Sequence, residues 1–178
     1  ANCWPDCWWM HSSGSSAGQP CVRSVWSTAL AKAQKAGNCR SPKPSTVTGT
    51  AGVKFVSLTP ERVEVDLANE RRVQNHIGGV HASAMNLLAE TATGMAVGMN
   101  VRDDCLPLAK ELSMAFKKRA TGALKAVATL TAEQRAAMQA SDKGEVQVKV
   151  TVTDETGVEP VECAFTWAWV PSSRPAKN

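Results

Sequence analysis

The sequence predicts an α+β domain in which a curved antiparallel sheet wraps around one long helix. The helix is predicted over residues 81–99, which are rich in Ala, Met and Leu and apolar on nearly every face. A helix of this kind is buried on all sides. The segments on either side alternate apolar and polar residues with a period of two, which is typical of half-buried strands. Short turns join these strands, so neighbours run antiparallel and can curl around the helix.

Two strands are predicted before the helix and four after it. The alternation is most regular over residues 145–153, where every second residue is a valine. Asp103, Asp104 and Pro107 are expected to separate the helix from the strand that follows it. The predicted strands cover residues 53–58, 62–67, 110–116, 123–130, 145–153 and 161–170, and residues 131–140 form a helix-prone connection.

The first 50 residues differ from the rest and are predicted to be an extension of a domain at 51–171, with a polar tail at 172–178. The extension is rich in Ser, Gly, Pro and Trp, and one short helix is predicted at 22–36. The chain has 178 residues and a net charge of +4, yet residues 1–60 hold six basic residues and one acidic residue. The excess positive charge is therefore expected to serve in targeting or anchoring the protein, and nucleic-acid binding by the domain is not expected.

The extension also bears on location. A basic, Ser-rich segment that is poor in acidic residues resembles an organelle transit peptide, and a plain docking extension is the alternative. The expected location is the cytoplasm or the matrix of a mitochondrion or plastid. The start of the chain lacks the basic and apolar regions of a secretory signal, and no apolar run approaches the roughly 20 residues of a membrane-spanning helix.

Six cysteines permit disulfides, but the apolar content of the chain does not require them, and a reducing compartment is favoured. Cys3, Cys7, His11 and Cys21 are residue types that bind zinc. Their spacing matches no common zinc finger. Incidental cysteines are therefore the favoured interpretation, and no metal site is predicted.

Glu90 is the one ionisable residue of the predicted helix beyond its first residue, and no Lys or Arg lies between residues 77 and 101. Burial of an unpaired carboxylate is costly, and desolvation raises its pKa toward the range of a useful general base. Two interpretations follow. Glu90 is either held for chemistry, or it occupies an exposed position of the helix and pairs with a neighbour.

A Gly-rich turn, NHIGGVH at residues 75–81, precedes the helix. The first N–H groups of a helix have no intrahelical acceptor and point toward incoming negative charge. Glycines allow a substrate carbonyl to approach that backbone. The N–H of Ala82 is therefore a candidate for stabilising an oxyanion. The alternative is a capped helix start with a structural His81.

Asn75, His81 and Glu90 are separated by six and nine residues in the stretch NHIGGVHASAMNLLAE. This arrangement resembles the hotdog-fold acyl-CoA thioesterases, in particular the branch that includes phenylacetyl-CoA thioesterases. The segment LPLAKELSMAFKKRATGALKAVATL is similar to the following strands of that family. The resemblance covers residues 51–170. It implies a hotdog fold, a homodimer or dimer of dimers, and hydrolysis of an acyl-CoA substrate with no cofactor besides the coenzyme A of that substrate.

The resemblance also implies roles for individual residues. Glu90 would activate water or act as the nucleophile, and the N–H of Ala82 would polarise the thioester carbonyl. His81 would orient that carbonyl or its loop, and Asn75 would position the water or the thioester. The site would lie across a dimer interface. Ala82 stands where relatives more often have Gly, and the position of a Ser or Thr in many relatives falls near Ala109 and Lys110.

Lys117, Lys118 and Arg119 are three adjacent basic residues that could bind the phosphates of coenzyme A, because clustered cations raise the local concentration of anions. A solvated turn is the alternative, and Arg71 and Arg72 form a similar pair.

Two other functions stay open at this stage. One is a hotdog 3-hydroxyacyl dehydratase or hydratase, which would also use a His and an acidic residue. The other is a non-catalytic module that binds acyl-CoA or serves in dimerisation. The nine-residue interval and the preceding Asn75 favour the thioesterase.

Overall fold

The structure is a computed structural model that describes residues 46–172. The transit-like segment, the helix predicted at 22–36 and the candidate zinc ligands Cys3, Cys7, His11 and Cys21 lie outside the described residues. Most of the polar tail also lies outside them.

The described part contains three α-helices, one short 3-10 helix and six strands. In chain order these are α1 (Thr46–Ala51), β1 (Lys54–Leu58), β2 (Arg62–Leu67), the 3-10 helix Arg71–Val73, α2 (Ala82–Gly98), β3 (Cys105–Phe116), β4 (Leu124–Thr129), α3 (Ala132–Ala140), β5 (Gly144–Asp154) and β6 (Val161–Pro171). The predicted order of two strands, one long helix and four strands is confirmed. The helix-prone connection is confirmed as α3.

The six strands form one sheet in the order β1-β2-β4-β5-β6-β3, and all neighbours run antiparallel. Helix α2 contacts five of the strands, namely β2, β4, β5, β6 and β3. The fully buried core lies between the helix and the sheet, and includes Leu88, Ala92, Val148 and Phe165. The predicted architecture, one long helix wrapped by a curved sheet, is therefore confirmed.

Strand β6 carries the aromatic part of the core. Phe165, Trp167 and Trp169 alternate along the strand and are all buried, so they face α2, as residues two apart on a strand share a face. In the antiparallel pair with β3, Leu112 lies opposite Phe165 and Phe116 lies opposite Val161. Directly opposed residues point to the same side of a sheet, so Leu112 and Phe116 also face the side of α2.

Strand β3 begins at Cys105, five residues earlier than predicted. Pro107 was expected to separate the helix from the strand, but it pairs with Trp169 inside β3. The physical reason is the position of β3 at the end of the sheet, because a proline that lacks an N–H is tolerated on an edge strand. The separation after α2 is made instead by residues 99–104.

Helix α1 lies ahead of the predicted start of the domain at residue 51. It contacts α2, and its Thr48 is buried. Among residues 46–172, no helix is long and apolar enough to cross a membrane.

Candidate active site

The turn before α2 is organised by the side chain of Asn75. Its Oδ1 accepts hydrogen bonds from the backbone N–H of Ile77 at 3.0 Å and of Gly79 at 3.1 Å. The backbone N–H of Asn75 also donates to the carbonyl of Gly79 at 2.8 Å. Gly78 has a φ of 77°, which favours glycine. The amide Nδ2 of Asn75 is therefore the polar group of this side chain that stays outside the turn's own hydrogen bonds.

His81 is the N-cap of α2. Its Nδ1 accepts a hydrogen bond from the N–H of Ser83 at 3.0 Å, and its backbone N–H donates to the carbonyl of Val73 at 2.8 Å. A ring nitrogen that accepts carries no proton, so Nε2 is the nitrogen left to donate. The structure therefore gives His81 a capping role and leaves one exposed donor at the start of the helix.

A cleft of about 140 Å³ lies beside the first residue of α2. The polar residues that line it are Asn75, Lys118 and Arg119, and the apolar ones include Ile77, Val80, Ala82, Met85, Phe116 and Ala120. The structure thus brings together four of the seven residues that the sequence predicts for the site. His81 adjoins Ala82 in the chain.

The basic residues occupy a loop, residues 117–123, that other parts of the chain hold in place. The carbonyl of Pro160 accepts hydrogen bonds from the N–H groups of Lys117 and Lys118 at 2.9 and 3.1 Å. The carboxylate of Asp154 accepts one from the N–H of Thr121 at 2.9 Å. Hydrogen bonds from the Thr156 side chain and from the backbone N–H groups of Thr121, Val158 and Thr156 lower the pKa of Asp154. The loop therefore presents its cations from a fixed backbone.

The three cations differ in what they contact. Lys117 forms an exposed ion pair with Glu162 at 3.0 Å, whereas Lys118 and Arg119 face the cleft beside Ala82. Because β3 ends at Phe116, all three belong to a loop and the alternation of strand residues does not apply to them. Arg71 lies apart from this cleft, in a neighbouring depression with His76.

Glu90 lies on the half-exposed stripe of α2 that the chain's own sheet leaves uncovered. The stripe also carries Asn86 and Leu87. Within residues 46–172 the Glu90 carboxylate has no ion pair or hydrogen bond, so the alternative of a neighbouring salt bridge does not hold there. Burial raises the pKa of the Glu90 carboxyl. A charge with no partner at a partly buried place is a feature of functional sites.

One copy of the chain does not bring Glu90 and Ala82 to the same reacting group. They are eight residues apart on α2, and a rise of 1.5 Å per residue separates them by about 12 Å along the helix axis. A base and an oxyanion donor each need to be about 3 Å from the group that they serve. Each copy therefore holds the two halves of the predicted site at separate places.

Edge strand β3 exposes side chains on the side of the sheet that faces α2. Ala109 lies opposite Trp167 and so faces the side of the helix, and Leu112 and Phe116 are 49% and 56% exposed. Lys110 sits at a bulge and pairs with Glu145 at 2.5 Å. At the predicted position of a Ser or Thr hydroxyl, the chain thus presents the methyl group of Ala109.

Sequence reasoning missed two features around Glu90. Gly94, one turn further along α2, packs against the indole of Trp167, whose carbon Cη2 lies 2.7 Å from where a Cβ would be. The buried Oδ1 of Asn86, one turn before Glu90, accepts no hydrogen bond within residues 46–172. No local sequence pattern indicates that Gly94 and Trp167 pack together, because the two residues are far apart in the chain. The position of Asn86, four residues before Glu90 and so on the same face of the helix, could be read from the sequence.

Comparison with known proteins places the chain in a family. Residues 42–170 match a protein family described as Domain of unknown function (DUF4442). The chain belongs to the DUF4442 family. Its described residues, 46–172, cover almost the whole of that match. No curated protein matches the sequence.

Solved structures of thioesterases resemble the fold of this DUF4442 chain. A Pseudomonas aeruginosa protein of unknown function, described as a probable thioesterase, is 23% identical with a TM-score of 0.67, over 82% of this chain and 96% of that chain. A thioesterase from Haemophilus influenzae is 12% identical with a TM-score of 0.62, over 79% and 94%. A thioesterase family protein from Silicibacter pomeroyi is 19% identical with a TM-score of 0.58, over 79% and 98%. The predicted hotdog fold is thereby confirmed.

Proposed function

We propose that the protein is a homodimeric thioesterase that hydrolyses acyl-CoA-type thioesters. The observation that carries this proposal is Glu90 on the half-exposed stripe of α2, a carboxyl with a raised pKa and no hydrogen bond or ion pair within residues 46–172. The likeness of the fold to structures described as thioesterases supports the same class of reaction.

Glu90 acts as the general base. Its carboxylate takes a proton from a water molecule while the water oxygen bonds to the thioester carbon, and the carbonyl becomes an oxyanion. Collapse of this intermediate breaks the C–S bond, and the leaving thiolate takes the proton from Glu90. The products are a free acid and a thiol, and the carboxylate is regenerated. Burial helps because a base with a raised pKa binds the proton more strongly in the transition state.

Two donors on the wall of the cleft serve the oxyanion. The N–H of Ala82 is the first of α2 and has no intrahelical acceptor, and Asn75, whose Nδ2 stays outside the turn's own hydrogen bonds, lines the same cleft. Fixed donors of this kind lower the barrier because they need no reorganisation as charge develops. The Cβ of Ala82 narrows the approach, but the reaction uses only its backbone N–H.

The site is completed by a second copy of the chain. Since Glu90 and Ala82 are about 12 Å apart in one copy, a symmetric dimer that sets Glu90 of one copy beside Ala82 of the other forms two equal sites. The exposed Leu112 and Phe116 on the same side supply apolar surface for this contact.

The experiment that tests the class of reaction is a thiol-release assay with acyl-CoA substrates from acetyl to long-chain and aryl. A free thiol formed at a rate proportional to enzyme is the expected result. Conversion of 3-hydroxyacyl-CoA to enoyl-CoA with no thiol would show a dehydratase instead. Tight binding of acyl-CoA with no turnover of any substrate would identify a binding module and overturn the proposal.

Lys118 and Arg119 are proposed to bind phosphates of coenzyme A. Each charge-assisted hydrogen bond contributes about 1.5–3 kcal/mol, so changing both residues to Ala should raise KM for an acyl-CoA by about 10²- to 10⁴-fold. The same variant should keep its KM for the acyl-N-acetylcysteamine thioester, which has no phosphate. Lys149→Ala, an exposed lysine on β5, is the matched control and should change neither value. An equal loss on both substrates would contradict phosphate binding at this loop.

A further inference from the structure

A row of three residues runs along the uncovered stripe of α2. Ala82, Asn86 and Glu90 are each four residues apart, so they lie one above the other on the same face of the helix. The ends of the row carry the two halves of the proposed site. Its centre carries Asn86, a half-exposed residue whose Oδ1 is buried and accepts no hydrogen bond within residues 46–172.

Symmetry connects the ends of this row with its centre. In a two-fold dimer, if residue i of one copy contacts residue j of the other, then residue j contacts residue i. A contact between Glu90 and the second copy's Ala82 therefore repeats as the contact between Ala82 and the second copy's Glu90. The two helices then run antiparallel, and the axis passes the position midway between the two residues. That position is Asn86.

We infer that Asn86 lies on the dimer axis and pairs with Asn86 of the second copy. This inference rests on the proposed function, because the shared site sets the register. A carboxamide is self-complementary: its Nδ2 donates and its Oδ1 accepts, so two copies can form two N–H···O bonds across an axis. The torsion about the Cβ–Cγ bond of Asn is broad, and rotation carries the buried oxygen to the exposed side of the residue.

The pair would fix the register of the two helices. Apolar contacts alone tolerate sliding of one helix along another, whereas a central polar pair is satisfied in one register only. A slide by one turn would separate each Glu90 from the opposite Ala82 by about 5.4 Å. Thr91 also carries an oxygen without a partner within residues 46–172, but it is turned about 100° from Glu90 and lies off the row.

A disulfide at the axis tests this register in the full chain. In Asn86→Cys the two new thiols should be adjacent, and mild oxidation should convert nearly all of the protein to a covalent dimer on a non-reducing gel. Thr91→Cys is the matched control. It lies five residues from the axis, so its two copies are about 15 Å apart along the helices, beyond the reach of a disulfide. The unmodified protein gives the background from its own cysteines.

The possible results distinguish a failure of the proposed helix register from a failure of the proposed thioesterase function. Cross-linking of Asn86→Cys at the background level, in a protein that light scattering shows to be a dimer, would overturn the axis and leave the reaction standing. Equal cross-linking of Thr91→Cys would also overturn it. Efficient cross-linking of Asn86→Cys, together with no thiol release by the unmodified protein, would support the axis and refute the thioesterase.

A second variant keeps the test valid if Asn86→Cys does not fold. Asn86→Asp places two like charges against each other at neutral pH, and the dissociation constant of the dimer should rise by about tenfold. Thr91→Asp adds the same charge off the axis and should change the constant by less than about twofold. Equal effects of the two variants, measured by sedimentation, would overturn the pairing of Asn86.

Discussion

Glu90→Gln is expected to lower kcat/KM for thioester hydrolysis by about 10²- to 10⁴-fold, the usual contribution of a general base. The amide has the shape of the carboxyl group but cannot accept the proton of the attacking water. The loss should appear in kcat, because the base acts on the transition state and not on the bound substrate. Steady-state thiol release with the best acyl-CoA measures it.

The matched control for this variant is Glu133→Gln. Glu133 is an exposed residue in the first turn of α3, on a different helix from the proposed site. It undergoes the same chemical change and should retain the activity of the unmodified protein. Unchanged turnover by Glu90→Gln would refute the role of Glu90 and, with it, the proposed mechanism.

The raised pKa of Glu90 adds a dependence on pH. The base must be charged, so kcat/KM should fall as the pH drops through this pKa, above the value of about 4.3 that is usual for a solvated glutamate. A carboxyl whose pKa is higher in the folded than in the unfolded protein destabilises the fold at pH values above the folded pKa, and this effect disappears below the unfolded pKa. Glu90→Gln should therefore raise Tm at about pH 7 and leave it unchanged near pH 4.

Trp167→Ala is expected to lower the free energy of unfolding by about 3–5 kcal/mol, as is usual for a large aromatic residue removed from a core. Trp167 is 6% exposed, and its Nε1–H donates to the hydroxyl of Thr93 at 3.1 Å. Its ring also fills the space above Gly94. Urea unfolding followed by circular dichroism measures the change.

The contact between Trp167 and Gly94 predicts that Gly94→Ala lowers the free energy of unfolding when Trp167 is present and raises it when Trp167 is replaced by Ala. In the natural sequence, a Cβ at position 94 would lie 2.7 Å from the ring, so Gly94→Ala should cost about 1–3 kcal/mol of overpacking, partly offset by the better helix propensity of Ala. In the Trp167→Ala background the ring is gone, and Gly94→Ala should stabilise by up to about 1 kcal/mol. The same sign in both backgrounds would show that the contact does not limit position 94.

Gly49 provides the control for the glycine substitution. It lies inside helix α1, and a Cβ there would meet nothing within 4 Å. Gly49→Ala should therefore be neutral or stabilising in both backgrounds. This comparison separates the contact with Trp167 from the general effect of removing a glycine from a helix.

The architecture could be predicted from the sequence because its signals are local and mutually consistent. Alternating valines identify β5, and a helix without charged residues other than Glu90 requires a sheet around it. The early start of β3 could not be predicted, because Pro107 is tolerated only where no further strand of the chain pairs with it. The order of strands in a sheet decides this, and it is not a local property.

The sequence predicts Glu90 and Ala82 as site residues. Their eight-residue separation on α2, about 12 Å, keeps them apart in one copy, in line with the dimer-interface site that the resemblance implies. The sequence does not show where the side chains around these residues point. It also did not reveal that the Oδ1 of Asn75 is occupied by the turn and that only Nδ2 stays outside the turn's bonds. Such facts depend on which atoms of a side chain are already in use.

The fixed backbone of residues 117–123 has a consequence for the thermodynamics of binding. Ordering a flexible loop around a ligand costs conformational entropy, which is subtracted from the affinity. Here the bonds from the loop to Pro160 and Asp154 are formed when the protein folds. An anion that reaches Lys118 and Arg119 immobilises only two side chains, so most of the ordering cost is met before the ligand arrives.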